Sequence, residues 1–218
     1  DVHGYVFEVG YLGTKGTALD ILRIPNRAAP GSPTDSELRR PIPYATGFTY
    51  DSPEGSSILH SGTLRVVRRM RRGVSWSAVY TYSKSIDNAS SIGGGGGVVA
   101  QDDRNLRAER GLSSFDRRHS LNLFYVFTTA TGRRGAGGLP SGAGGALLKD
   151  WTLTGGVTIR SGGPFTAQVM GNRSDQGGAG TIGSGRADAT GLPVKSGTGF
   201  FNLAAFTVPP AGRYGNAA

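Results

Sequence analysis

The sequence predicts an all-β chain, a segment of an antiparallel transmembrane β-barrel with about five long strands and long extracellular loops. Three observations predict it. Five segments alternate apolar or aromatic side chains with small or polar ones, the period-two mark of strands whose two faces meet different surroundings. The connections between them alternate between short and long, as in barrels with tight turns at one rim and long loops at the other. Glycine contributes 37 of 218 residues and hydrophobic types only 37%, which disfavours a tightly packed helical or α/β core.

The first segment sets Tyr5, Phe7, Val9 and Tyr11 against Gly4, Val6, Glu8 and Gly10. From Ser61 to Met70, Leu64 and Val66 face away from Thr63, Arg65 and Val67. The clearest alternation follows, with Val74, Trp76, Ala78, Tyr80 and Tyr82 opposing Ser75, Ser77, Val79, Thr81 and Ser83. Arg118 to Phe127 sets Leu121, Leu123, Tyr125 and Phe127 against Ser120, Asn122, Phe124 and Val126. Last, Trp151, Leu153, Gly155, Val157 and Ile159 oppose Thr152, Thr154, Gly156, Thr158 and Arg160. Each segment has about the ten residues of a membrane-crossing strand, which leaves no hydropathy peak of the kind a spanning helix leaves.

Arg71-Arg72-Gly73 reads as a tight hairpin, because Gly73 can take the positive φ such turns require. Leu12 to His60, Lys84 to Asp116 and the chain from Ser161 onward read as long loops rich in Gly, Pro, Ser and Asn. The Gly-rich link from Thr128 to Asp150 is longer than its place at the short-turn rim leads one to expect. Trp76, Phe127 and Trp151 fall near the short-turn rim, and Tyr11 and Tyr82 near the long-loop rim, as aromatic girdles require. A soluble extracellular β-sandwich or adhesin-like binding module is the alternative, its apolar face being core rather than lipid-bound. Val6, Val79, Phe124 and Val126 on the supposed lumen face favour that alternative.

The absence of cysteine excludes disulfides, thiolate-bound zinc and thiol catalysis. The formal net charge is +9, which permits a nucleic-acid binder without requiring one. The chain opens at Asp1, reads as strand almost at once, and stops within the loop-like run Pro209 to Ala218. It is therefore expected to be a piece of a longer protein.

Two runs carry a resemblance: Tyr80-Thr-Tyr-Ser-Lys-Ser-Ile-Asp-Asn88, and Ala108-Glu-Arg-Gly-Leu-Ser-Ser-Phe-Asp-Arg-Arg-His119. With Tyr11-Leu-Gly-Thr-Lys-Gly16, Arg68 to Tyr82, Trp151 to Phe165 ending in Ser161-Gly-Gly-Pro-Phe165, Phe201-Asn-Leu-Ala-Ala-Phe206 and Gly215-Asn216, the chain resembles the C-terminal barrel of TonB-dependent outer-membrane receptors of the Oar-like type. The resemblance runs along nearly the whole chain, in order. It implies that residues 1–218 belong to one large plugged barrel, of about 22 strands in such transporters, that imports or binds a bulky ligand. It further implies contact with outer-membrane lipid, a Gram-negative outer-membrane location, and coupling to TonB through plug and N-terminal segments outside this chain. Neither an enzymatic activity nor a cofactor is implied, and the final strands of such a barrel are expected to lie elsewhere.

The expected lipid-facing residues are Tyr5, Phe7, Val9, Tyr11, Trp76, Tyr80, Tyr82, Leu121, Leu123, Tyr125, Phe127, Trp151, Leu153, Val157 and Ile159. Candidate ligand contacts lie on the loops, where binding residues concentrate: Tyr44, Phe48 and Tyr50, then Gln101, Asp102, Asp103 and Arg107, then Arg173, Asp175 and Arg186. Arg65, Arg68, Arg69, Arg71 and Arg72 form the densest basic cluster but lack the interleaved aromatics that stack bases. They read as a rim-capping hairpin, with Arg65 and Arg69 facing the lumen, and no nucleic acid is expected. Gly93 to Gly97 and Gly13-Thr-Lys-Gly16 lack the Lys-Ser/Thr of a phosphate loop and read as flexible loop. Ser114, Asp116 and His119 have the residue types of a hydrolase triad, but triad members converge from distant segments, so this reads as a loop-to-strand junction. Asp102, Asp103 and Glu109 lack the regular spacing of a calcium loop, and no metal is expected.

Overall fold

The computed structural model describes residues 4–31, 35–45, 48–88, 100–129, 150–169, 171, 173–174, 185–195 and 199–217. Eight strands are present among them: β1 (Tyr5–Arg23), β2 (Tyr50–Arg71), β3 (Val74–Asp87), β4 (Gly111–Leu112), β5 (His119–Thr128), β6 (Thr152–Arg160), β7 (Asp188–Ala189) and β8 (Phe206–Thr207). One sheet runs β1-β2-β3-β5-β6, with β4 hydrogen-bonded to the end of β3, and β7 pairs with β8 apart from it. The order of the five long strands is their order along the chain, the up-and-down connectivity of a barrel wall. No helix among the described residues is long and apolar enough to cross a membrane.

The chain divides into two compact units. The first holds Asp1–Thr14, Leu59–Lys84 and Asp116–Gly163, and thus the segments whose alternation reads as membrane-crossing. Here the register carries the parity from strand to strand: Trp76 stands opposite Tyr125, Ala78 opposite Leu123 and Tyr80 opposite Leu121. Across the next ladder Leu121 meets Ile159, Leu123 meets Val157 and Phe127 meets Leu153. Directly opposed residues share a face, so one face is aromatic and aliphatic over three strands. The other carries Ser75, Ser77, Asn122, Thr154 and Thr158, together with Val79, Phe124 and Val126. A salt bridge from Arg65 to Glu8 at 3.0 Å lies on that second face, by the alternation of β1.

Among the described residues, much of the apolar face is open. Val9 is 84% exposed and Ile159 59%, and the buried apolar side chains, Ile21 and five alanines from Ala28 to Ala217, all lie in the second unit. A sandwich requires a second sheet about 10 Å away, and the only other sheet among the described residues is the two-residue ladder of β7 and β8. The described residues therefore give the soluble-sandwich alternative no second layer.

The β2–β3 turn is as tight as the sequence leads one to expect. Arg72 and Gly73 have φ of 52° and 77°, the paired positive values of the type I′ turn that matches strand twist. Of the connection that follows β5, residues 130–149 lie outside the described residues. β6 begins at Thr152 rather than Trp151, although Trp151 O still accepts from Thr129 N at 2.9 Å.

Strand length departs from expectation at the other end. β1 has 19 residues and β2 has 22, so Leu12–Arg23 and Tyr50–His60 are strand, and so is Gly13–Gly16, which had read as flexible loop. Backbone pairing needs no apolar alternation. The period-two signal fades where neither face is required to be apolar, while the ladder continues.

Gly155 faces Tyr125 across the β5–β6 ladder, and the Tyr125 ring covers it. A Cβ built at Gly155 would stand 2.5 Å from the tyrosine hydroxyl oxygen and 2.6 Å from its Cζ. Gly155→Val is expected to push the ring out of its place and destabilise the folded barrel by about 1–3 kcal/mol. A urea refolding titration in lipid vesicles measures it, and adding Tyr125→Ala should make the valine's further cost much smaller. Equal cost with and without the tyrosine would refute the covering role.

Candidate functional site

The second unit, Lys15–Ile58, Ser85–Phe115 and Pro164–Ala218, carries the strand extensions and the long connections. Polar side chains hold it together. Arg23, near the end of β1, donates Nε to Asp103 Oδ1 at 2.7 Å and Nη2 to Asp103 Oδ2 at 3.1 Å and to the Asp103 carbonyl at 2.7 Å. It also pairs with Glu54 of β2. The hydrogen bond to Asp103 holds the Arg23 pKa above its ordinary value, against the opposing effect of burial. Arg27 is the converse case, its pKa pulled below the ordinary value by burial, with Nη1 donating to Ala100 O at 3.0 Å.

Asparagine and glutamine amides act as brackets in this unit. Asn26 Oδ1 accepts from Ile42 N at 3.0 Å while its Nδ2 donates to Ile42 O at 3.2 Å. Asn88 Oδ1 accepts from Ser56 N at 2.7 Å and its Nδ2 donates to Glu54 O at 3.2 Å, joining the end of β3 to β2. Gln101 is buried, donates Nε2 to Gly215 O at 2.9 Å, and accepts from Arg186 N at 2.8 Å. Arg186 pairs in turn with Glu109. Nearer the end of the chain, Asp188 accepts from Arg213 Nη2 at 2.7 Å and from Asn216 N at 3.1 Å.

The sequence candidates thus divide. Gln101 is fastened to Arg186 and Asp103 to Arg23, and Asp102 Oδ1 accepts from Arg104 N at 3.0 Å in the same connection. Arg107 is exposed within a short 3-10 turn, Leu106–Glu109. Arg173 is exposed and donates Nε to Pro209 O at 3.3 Å. Asp175 lies outside the described residues, as do Gly93–Gly97. Tyr44, Phe48 and Tyr50 are exposed, and the Phe48 and Tyr50 rings are 6.4 Å apart. Asp103 and Glu109, weighed as calcium ligands, are both held by arginines, and no group of three metal-ligating side chains is found among the described residues. At the supposed junction of Ser114, Asp116 and His119, Arg117 Nη1 donates to Asp116 O at 2.9 Å, and His119 Nδ1 is engaged by the Tyr80 hydroxyl at 2.7 Å.

One feature of the second unit escaped residue-by-residue reading. Phe165, which ends the Ser161–Phe165 run, has its ring 4.5 Å from that of Phe201 and 6.2 Å from that of Phe206. With Val169, Leu203 and Val208 these rings line an open apolar cavity of about 500 Å³. The signal was present as two separate Phe-bearing motifs, but nothing in either predicts that they meet.

A wall of antiparallel strands with one uncovered apolar face, tight turn at one end and long connections at the other, is what a membrane barrel demands. Residues 2–218 match the family described as an outer membrane beta barrel domain. The chain belongs to this family. No curated protein and no solved structure matches it. Membership places the chain in the outer membrane of a Gram-negative bacterium. By the alternation and register above, the apolar face of the wall carries Tyr5, Phe7, Val9, Tyr11, Trp76, Tyr80, Tyr82, Leu121, Leu123, Tyr125, Phe127, Leu153, Val157 and Ile159, with Trp151 immediately before β6.

Proposed function

We propose that this outer-membrane barrel is part of a TonB-dependent receptor of the Oar-like type, binding or importing a bulky ligand. The motif resemblance favours the type. The observation that carries the reading is the length of β1 and β2, roughly twice the 9–11 residues needed to cross the bilayer, with the surplus fastened by buried polar groups. A small general pore needs no such construction, whereas a receptor that selects a large ligand does. Ligand contact falls to the exposed aromatics of the second unit, Tyr44, Phe48 and Tyr50, and to the Phe165, Phe201 and Phe206 cavity. The protein on this reading is a receptor or transporter rather than an enzyme, uses no cofactor, and binds lipid rather than nucleic acid.

The test is retention of the full-length receptor from detergent-solubilised outer membranes on the immobilised periplasmic domain of TonB. Retention that is lost when the receptor's N-terminal segment is removed is the expected result. A full-length receptor that never binds TonB would defeat the coupling, leaving an outer-membrane barrel of another kind.

A further inference from the structure

At the long-loop end of the first unit, basic and aromatic side chains gather on the apolar parity, and Arg118, which by the β5 alternation belongs to the other parity, reaches them through Tyr82. Tyr80, Tyr82 and Lys84 follow one another on that face of β3, and Tyr82 stands opposite His119 of β5. The Tyr80 hydroxyl bonds His119 Nδ1 at 2.7 Å, with the two rings 6.2 Å apart and 30° from parallel. The Arg118 guanidinium lies 5.8 Å from the centre of the Tyr82 ring and reaches the Tyr82 hydroxyl at 3.4 Å. The arrangement recurs on β1 and β2, where the Tyr11 hydroxyl bonds His60 Nδ1 at 2.7 Å with rings 6.2 Å apart and 26° from parallel.

Height places this cluster at the membrane surface. From Val74, beside the tight turn, Lys84 is ten steps along β3, about 34 Å at about 3.4 Å per residue. At a strand tilt of about 40° that is about 26 Å of height, the top of an apolar band about 25 Å tall. The long connections leave from this end, which makes it the outer surface. Tyr82 and Tyr80 then form the aromatic girdle, and Lys84, Arg118 and His119 stand where lipid headgroups begin.

Charge decides what the cluster takes. In each pair the tyrosine hydroxyl engages Nδ1, and Nε2 is the ring nitrogen left to meet an outside group. Lys84 has no ion pair among the described residues. The carboxylate that acts electrostatically on Arg118 is Asp116, which is itself 5% exposed. Donors and positive charge over tyrosine rings at a headgroup plane suit one class of partner, an anionic lipid whose phosphate accepts the hydrogen bonds while its chains lie on Leu121, Leu123 and Ile159. We propose that Lys84, Arg118 and His119, carried on Tyr80 and Tyr82, form a binding site for the phosphorylated headgroup of an outer-leaflet glycolipid.

The experiment uses the full-length protein in detergent micelles, titrated with bis-phosphorylated lipid A, with the dephosphorylated form, and with inorganic phosphate. Bound lipid is counted by native mass spectrometry. The phosphorylated lipid should bind, the dephosphorylated form far more weakly, and inorganic phosphate should not displace it. Lys84→Gln with Arg118→Gln should weaken binding about thirtyfold, near 1 kcal/mol for each charge, while Arg160→Gln on the opposite parity leaves it unchanged. If the double variant fails to assemble, Lys84→Gln alone, which has no internal bond to lose, reads the same effect at about fivefold. Equal binding of the two lipid forms, displacement by inorganic phosphate, or unchanged binding in an assembled variant would overturn the site.

Discussion

Leu123→Arg in the full-length protein is expected to abolish stable barrel assembly, whereas Asn122→Arg, one residue away, is expected to assemble. Leu123 lies between Ala78 and Val157 in the middle of the apolar face. An arginine there must enter hydrocarbon near the bilayer midplane, at about 2–4 kcal/mol. That is a large fraction of the net stability of a folded domain, about 5–15 kcal/mol. Asn122 lies on the opposite, polar face and accepts from Thr158 Oγ1 at 3.0 Å. Replacing it forfeits that bond, worth about 1 kcal/mol, but leaves the new charge in water. Val157→Arg should repeat the Leu123 result from the neighbouring strand. Heat-modifiable mobility on gels and surface protease protection in cells give the readout. Equal tolerance at positions 122 and 123 would contradict the assignment of faces.

That pair of positions also marks how far the sequence could be read. The two-faced alternation is legible because a surface that must be apolar constrains every second residue, and the register keeps that parity from Trp76 through Tyr125 and from Leu123 to Val157. Beyond the girdle the requirement lapses. Residues such as Thr14, Lys15 and Thr17 lie within β1 but carry no period-two signal, so they read as loop. The fastenings of the second unit were illegible for another reason. Arg23 and Asp103 are 80 positions apart, as are, within a few residues, Gln101 and Arg186, and a single sequence contains no sign of which distant charges meet. Gln101, Asp103 and Arg186 were singled out as polar loop residues, a class that holds ligand contacts and fastenings alike. Only coordinates separate the two.

The second large effect tests that separation directly. Asp103→Ala is expected to loosen the second unit while leaving the membrane-spanning wall in place. Asp103 is 7% exposed and the Arg23 side chain 14%, so the pair is largely withdrawn from water. Removing the carboxylate takes from Arg23 the two hydrogen bonds to Asp103 Oδ1 and Oδ2, keeps the one to the Asp103 carbonyl, and leaves a guanidinium whose remaining anionic partner is Glu54. It also takes the acceptor of Ile24 N, at 3.3 Å. Breaking a buried pair by deleting one member costs about 3–5 kcal/mol, and the half-exposed Glu54 offsets part of that, so about 2–3 kcal/mol is expected. The loss should be local, because proteins open in cooperative units rather than uniformly. Amide exchange should accelerate along residues 20–24 and 100–105 of the full-length protein in detergent, with β5 and the first ten residues of β1 unchanged. Arg23→Met, which removes the cation and keeps much of its apolar stem, should cost Asp103 its partner and give the same pattern. Were Asp103 instead a ligand contact on a self-supporting loop, Asp103→Ala would lower ligand binding and leave amide exchange at both segments as it was.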